Sequence, residues 1–194
     1  MLAPGFYDGH LARVARYGLE LADALAADRE IVELAAWLHD ISAVLDFATL
    51  PAHAAASADR AAAMLAAHGY PDARVAAVAD AVRRHTRPLQ VSEGTPEEVA
   101  LSNADAMAQI AAPDYWLYFA FRIRNLAYAE GRSWYEALVR RNWEAIAPQA
   151  RTILEPRYQE VVDRIVWTAA ERVAAWRSAR ARQFVMLMQS VFGQ

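Results

Sequence analysis

The chain has 194 residues, a net charge of −3 at pH 7, no cysteine and no lysine. Lack of cysteine excludes disulfides, thiolate zinc sites, iron–sulfur ligation and thiol catalysis, and lack of lysine excludes Schiff-base chemistry and a P-loop lysine. With 56% hydrophobic and 22% charged residues, the composition is that of a folded chain, long enough for one domain or one domain with an appendage. The near-neutral charge argues against general nucleic-acid binding, which needs a basic surface. No uncharged apolar stretch approaches 18 residues and Met1–His10 lacks the regions of a signal peptide, so the expected location is cytoplasmic, without a membrane span.

The pattern predicts an all-α fold. Alternating β-branched runs are missing, and roughly a quarter of the chain is alanine, the best helix former. A first helix is expected from about Asp8 to Ala26, with Val14, Tyr17, Leu21 and Leu25 on its apolar stripe. Asp28 caps a second, which buries Ile31, Leu34, Ala35 and Leu38 and ends near Ile41. A loop from Asp46 to Pro51 follows. A third helix covers about Ala54 to His68 and stops at Gly69. Asp72 opens a fourth, which ends near His85 before a loop from Thr86 to Gly94. Thr95-Pro96-Glu97-Glu98 reads as a helix start, with a threonine cap, proline at the first position and glutamate at the third; that fifth helix ends near Ala112. Beyond Pro113 the composition shifts: five of six tryptophans lie there and histidine disappears. Helices are expected over about 115–130, 133–146 and 156–188. In the last, Val162, Val166, Ala169, Val173 and Trp176 lie close to a heptad seam that would pack on the body of the protein or on a second subunit. The expected division is therefore 1–112 and 113–194.

All five histidines lie between residues 10 and 85. His10 is on the stripe of the first helix, four residues before Val14. His39 and Asp40 are adjacent at the end of the second, and His85 is on the apolar face of the fourth. Asp105 falls four residues after Leu101 on a stripe that otherwise reads as buried. A buried carboxylate without a partner costs several kcal/mol, and with no lysine its choices are a close arginine or a metal. A divalent metal accounts for all of these positions at once. Imidazole and carboxylate ligands suit iron, manganese, nickel or zinc and do not discriminate strongly among them, and helix bundles can converge such ligands on one core site. His68, just before Gly69, reads as an ordinary helix end.

Gly9-His10-Leu11-Ala12-Arg13-Val14-Ala15, then Ala35-Ala36-Trp37-Leu38-His39-Asp40-Ile41 and a late Asn103-Ala104-Asp105-Ala106, resemble the HD-domain superfamily of metal-dependent phosphohydrolases over about residues 5–112. The resemblance implies an HD-domain-like helical bundle, here with a C-terminal helical extension, and a metal between its helices. Residue by residue, His10, His39, Asp40 and Asp105 match the four ligands of a mononuclear site. Members with two metals use two further histidines between the HD pair and the late aspartate, and His53 and His85 lie in that interval. His85-Thr86 resembles the His-Thr or His-Ser of those members, and His53 with Ser57 one turn on resembles it again, with Asp40 as the bridging carboxylate. The short gap between Asp40 and His53 departs from the pattern and leaves the choice between one and two ions open.

In that reading the metal acts as a Lewis acid on bound water and the substrate is a small phosphoester, for which a nucleotide is the expected example. Phosphoryl oxygens need positive charge. Arg13, one turn from His10, is the first arginine expected there, with Arg83, Arg84 and Arg87 around His85 next, while Asp46 is a candidate for positioning water or accepting a proton. Two other readings share the ligand set: an HD-type di-iron oxygenase, which requires His53 and His85 as ligands, and a non-enzymatic metal-stabilised sensor or scaffold. The C-terminal helices are expected to form either a homodimer contact or part of the body, their tryptophans serving as core or contact residues.

Overall fold

Two of the helices begin where the sequence supplies a capping side chain for their unpaired first N–H groups. In the computed structural model, which describes residues 5–165, the Asp28 carboxylate accepts the backbone N–H of Glu30 and Ile31. Thr95 and Glu98 form a reciprocal capping box with Pro96 at the first position. The elements in chain order are a π-helical turn Tyr7–Leu11, α1 (Ala12–Leu25), α2 (Arg29–Leu38), α3 (Ile41–Leu45), a 3-10 turn Phe47–Ala52, α4 (His53–Ala67), α5 (Asp72–Arg84), α6 (Pro96–Ala111), α7 (Pro113–Tyr118), a second π-helical turn Phe119–Ile123, α8 (Tyr128–Ala145) and α9 (Pro148–Ile165). No strand occurs among the described residues, so the fold is all-α. Residues up to Tyr158 form one compact unit, and a second begins at Gln159.

The organising element is α6. Every residue in it except Pro96, Glu97 and Gln109 is buried, the signature of a helix surrounded on all sides. It packs against α1, α2, α5 and α8. Its approach to α1 and α2 is close because Gly18 has no side chain: a Cβ there would lie 3.0 Å from Val32 and 3.8 Å from Ala104. The polar residues of α6 are latches. Buried Asn103 donates to the carbonyls of Leu89 and Val99, both at 2.8 Å, and its own carbonyl accepts the N–H of Ala147 at 2.7 Å. One amide thus ties the 86–94 loop and the start of α9 to the central helix. At the other end of α6 the orphan carbonyls are met by the Tyr135 hydroxyl, 2.8 Å from the Ile110 oxygen, and by the Arg157 guanidinium on the Ala111 oxygen.

Several boundaries differ from the sequence pattern, for local reasons. The second helix stops at Leu38 rather than near Ile41, because the chain turns at His39-Asp40 and restarts as α3. The expected 46–51 loop is a 3-10 turn whose first N–H, from Ala48, is accepted by the Asp46 carboxylate. The stretch 115–130 is not one helix: the second π-helical turn and Asn125 in a left-handed conformation (φ 52°) break it, and α8 starts at Tyr128. The final described helix starts at Pro148, so Pro156 lies inside it and not at its start; Pro148 was the informative start signal, since proline suits a first helical position. Trp116 packs in an aromatic group with Phe119 and Trp134, and Trp143 stacks on Tyr158 at 3.7 Å. Most of the expected 156–188 helix, with Val166, Ala169, Val173 and Trp176, lies outside the described residues.

Candidate metal centre

All of the site's histidines and carboxylates except Asp105 are delivered by an irregularity in a helix or by a helix end. His10 sits in the π-helical turn before α1, a wide turn of the kind found at functional sites. Its neighbour Gly9 lets that turn rest on Tyr115, whose ring would lie 2.8 Å from a Cβ at position 9. His39 is the C-cap of α2, and Asp40 occupies the N-cap of α3 without capping it. An N-cap aspartate ordinarily accepts an N–H of its own helix. Here the Ser42 N–H is accepted instead by the Ser57 hydroxyl, at 3.1 Å, from α4, and the Asp40 carboxylate is released toward the imidazoles. His53 opens α4, His85 closes α5, and Asp105 projects from the middle of α6.

These six side chains meet. The His10 Nε2 lies 3.2 Å from the His39 Nε2, 3.3 Å from an Asp105 oxygen and 3.5 Å from the Asp40 Oδ2. The His39 Nε2 is 3.3 Å from the same Asp40 oxygen. The other Asp40 oxygen faces the opposite way, 3.3 Å from the His53 Nε2 and 3.8 Å from the His85 Nε2, and those two nitrogens are 3.1 Å apart. Two overlapping groups sharing His39 could each hold a metal ion: His10, His39 and Asp105, and His39, Asp40 and His85.

The hydrogen bonds on the far side of the rings say what the cluster is for. The Nδ1 atoms of His39, His53 and His85 contact the carbonyl oxygens of Ala36, Leu50 and Val82 at 2.8, 2.8 and 2.6 Å. A carbonyl can only accept, so each Nδ1 carries the proton, and in the neutral ring each Nε2 presents a lone pair. Those lone pairs point at one another and at two carboxylates. Three such lone pairs, packed with the His10 ring, whose buried Nδ1 has no hydrogen-bond partner, and with two carboxylates suit a cation, and imidazole nitrogen with carboxylate oxygen is a donor set for divalent transition metals. The residues present therefore fit a metal. Protonation in its absence shows the same demand. Burial works to lower the His39 pKa, yet the adjacent Asp40 carboxylate, with Asp105, raises it to about 9. Asp40 is opposed by burial but held well below the usual carboxylate range by His39 and His10. Burial, together with the charge on His39, lowers His85 to about 4.

Residues beyond the motif shape the surroundings. Gln109, one turn after Asp105, donates to both Asp105 oxygens at 3.1 and 3.0 Å, and its own carbonyl accepts from Asn142 of α8 at 2.8 Å. A cleft of about 420 Å³ opens against the cluster, lined by His85 and Asp105 and then by Gln109, Trp116, Arg141 and Asn142. Sequence reasoning missed Gln109, Asn142, Arg141 and Ser42. Gln109 had a signal, its spacing of four from Asp105; the α8 residues had none.

Of the arginines expected near the cluster only Arg87 lines the cleft, and Asp46 does not. Arg83 is paired with Asp59 and Asp80. Arg84 is held by Glu98 and the Glu93 carbonyl. Arg87 lines the cleft but pairs with Glu93 at 3.1 Å. Arg13 does not line the cleft; its Nε is buried without a hydrogen-bond partner, and its charge bears on Tyr17 and Tyr135. Asp46 is exposed and caps the 3-10 turn. His68 is exposed and donates to the Met64 carbonyl, as an ordinary helix-end residue does.

An all-helical chain that converges four imidazoles and two carboxylates around a helix corner is a candidate divalent-metal protein. A model of the HD domain family matches residues 7–110, more than half of the chain, and the chain belongs to that family, whose members are largely metal-dependent hydrolases. No curated protein and no solved structure matches it. No helix among the described residues is long and apolar enough to cross a membrane.

Proposed function

We propose that the protein is a metal-dependent phosphohydrolase acting on a small phosphoester, with one divalent ion on each flank of Asp40. His10, His39 and Asp105 would hold the first, His53 and His85 the second, and Asp40 both. The observation that carries this reading is the two-sided donor set around one carboxylate, opening onto a cleft. When bound, such ions supply Lewis-acid activation of water and neutralise charge at phosphorus. The protein's own part is to hold the donors in place. Carbonyls behind His39, His53 and His85 keep each Nε2 free to ligate, and Gln109 orients Asp105. Contact of His85 and Asp105 with the cleft supports an enzyme over a closed structural ion, because substrate can reach the cluster.

The test is metal analysis of protein purified without chelator or histidine tag, followed by hydrolysis of p-nitrophenyl phosphate. Metal near two equivalents and phosphate release that a chelator abolishes are expected; metal-loaded protein that hydrolyses no phosphoester overturns the assignment. The same two-sided set also favours a second reading, a di-iron oxygenase. Two irons per chain with dioxygen consumption and no phosphate release would replace the first reading with it.

A further inference from the structure

The cleft beside the cluster contains a cation that the cluster does not use. Two arginines line it. Arg87 is neutralised by Glu93. Arg141, on α8, is exposed and has neither an ion pair nor a hydrogen bond among the described residues. Asp105 is the one carboxylate among the lining residues, and it is occupied with His10 and Gln109. The cleft wall is thus arranged with the metal-ligating groups on α5 and α6 and an unpaired guanidinium on α8. The separation is built by side-chain contacts: Asp105 to Gln109 is one turn along α6, and Gln109 is hydrogen-bonded across to Asn142, the residue next to Arg141. A cleft lined by an uncompensated cation concentrates anions, and its volume of about 420 Å³ is in the range of small-molecule sites.

We propose that Arg141 binds a second anionic group of the substrate, a phosphate or carboxylate carried on the same small molecule as the phosphoester at the cluster. Arg141 is then a specificity-determining residue supplied from outside the matched 7–110 segment. The preferred substrates are doubly anionic small molecules, not simple alkyl phosphates. A planar guanidinium offers a fork that matches either oxyanion. This proposal rests on the phosphoester reading of the cluster, and its test is binding, so the two can fail separately.

The experiment compares two probes that differ only in a carboxylate and cannot be hydrolysed as esters, ethylphosphonate and 3-phosphonopropionate. Their dissociation constants are measured by calorimetry on metal-loaded full-length protein, on Arg141→Met and on Arg140→Met, whose arginine is an exposed neighbour that does not line the cleft. The native protein and Arg140→Met are expected to bind 3-phosphonopropionate about tenfold or more tightly than ethylphosphonate. In Arg141→Met that preference should shrink to near unity, with metal content unchanged and ethylphosphonate affinity nearly so. Equal affinity for the two probes in the native protein, or a preference that survives in Arg141→Met, overturns the proposal. Should the preference depend on Arg141 while no phosphoester is hydrolysed, the anion site stands and the phosphohydrolase reading falls.

Discussion

The two flanks of Asp40 use the same chemistry but are built differently. On one flank, His10, His39 and Asp105 come from a wide turn, a helix end and the central helix, and all are buried. On the other, His53 and His85 come from the ends of α4 and α5, and the His53 side chain is 21% exposed. Removing His10 or His39, both almost fully buried, leaves their partners facing one another in the interior, where unmet polar groups are costly. Of the outer pair, His53 can be replaced by solvent, whereas His85, 2% exposed, is as buried as the inner donors. The inner flank and His85 therefore link metal binding to folding, while His53 is adjustable without disturbing the core.

The largest effect is expected where the flanks meet. Asp40→Asn should lose metal from both sides and bring phosphoester hydrolysis to background, because an amide oxygen lacks the charge that offsets two cations. Substantial activity with full metal content in this variant would sink the shared role of Asp40. Next, His10→Ala and His53→Ala separate the flanks. The first should lower the melting temperature as well as the metal content. The second should leave about one ion per chain, as measured by plasma emission, with the melting temperature of the once-loaded protein. If both variants lose the same metal and the same stability, the flanks are not distinct. A smaller effect is expected from Gln109→Ala, which removes only the orientation of Asp105: metal affinity or activity should fall about 10–100-fold. Unchanged affinity would mean that His10 alone holds Asp105 in place.

The flanks also differ in how far they could be read from the amino-acid order. His10 and Asp105 fell on helical stripes and His39-Asp40 at a helix end, and their convergence followed from the resemblance to the HD-domain superfamily and from the need of a buried carboxylate for a cation. The start of α6 followed from the Thr95 capping box. The outer flank was harder because the interval from Asp40 to His53 looked too short. It is spanned by α3 and a 3-10 turn, and the turn forms because Asp46 caps it, a local device that a loop-like composition conceals. The cleft's far wall was not legible at all. Arg141 and Asn142 reach the site only through the packing of α8 on α6, and no spacing rule relates residue 142 to residue 109. Their place beside His85 suggested Arg83 and Arg84, but nearby carboxylates pair with both.

The smallest expected effect tests why Asp40 points where it does. Ser42 donates its hydroxyl to the His53 carbonyl at 3.1 Å, so the hydrogen between the two serine oxygens, 2.9 Å apart, belongs to Ser57. The Ser57 oxygen in turn accepts the Ser42 N–H. In Ser57→Ala that N–H, at the second position of α3, loses its partner. The Ser57 hydroxyl's own bond to Ser42 goes as well, and the loss of two buried hydrogen bonds at about 1 kcal/mol each lowers the melting temperature by about 4–8 °C for a chain of this size. An alternative acceptor is the Asp40 carboxylate, already at the N-cap, where an aspartate side chain ordinarily accepts from the second or third N–H of its own helix. That rotation would draw it away from the imidazoles. If Ser57 serves to release Asp40, Ser57→Ala must weaken metal binding on both flanks, and Ser57→Thr, which restores the acceptor, must recover it. A variant that melts a few degrees lower yet binds metal as tightly as the parent would show that Ser57 supports α3 alone, and that the orientation of Asp40 is set by the imidazoles themselves.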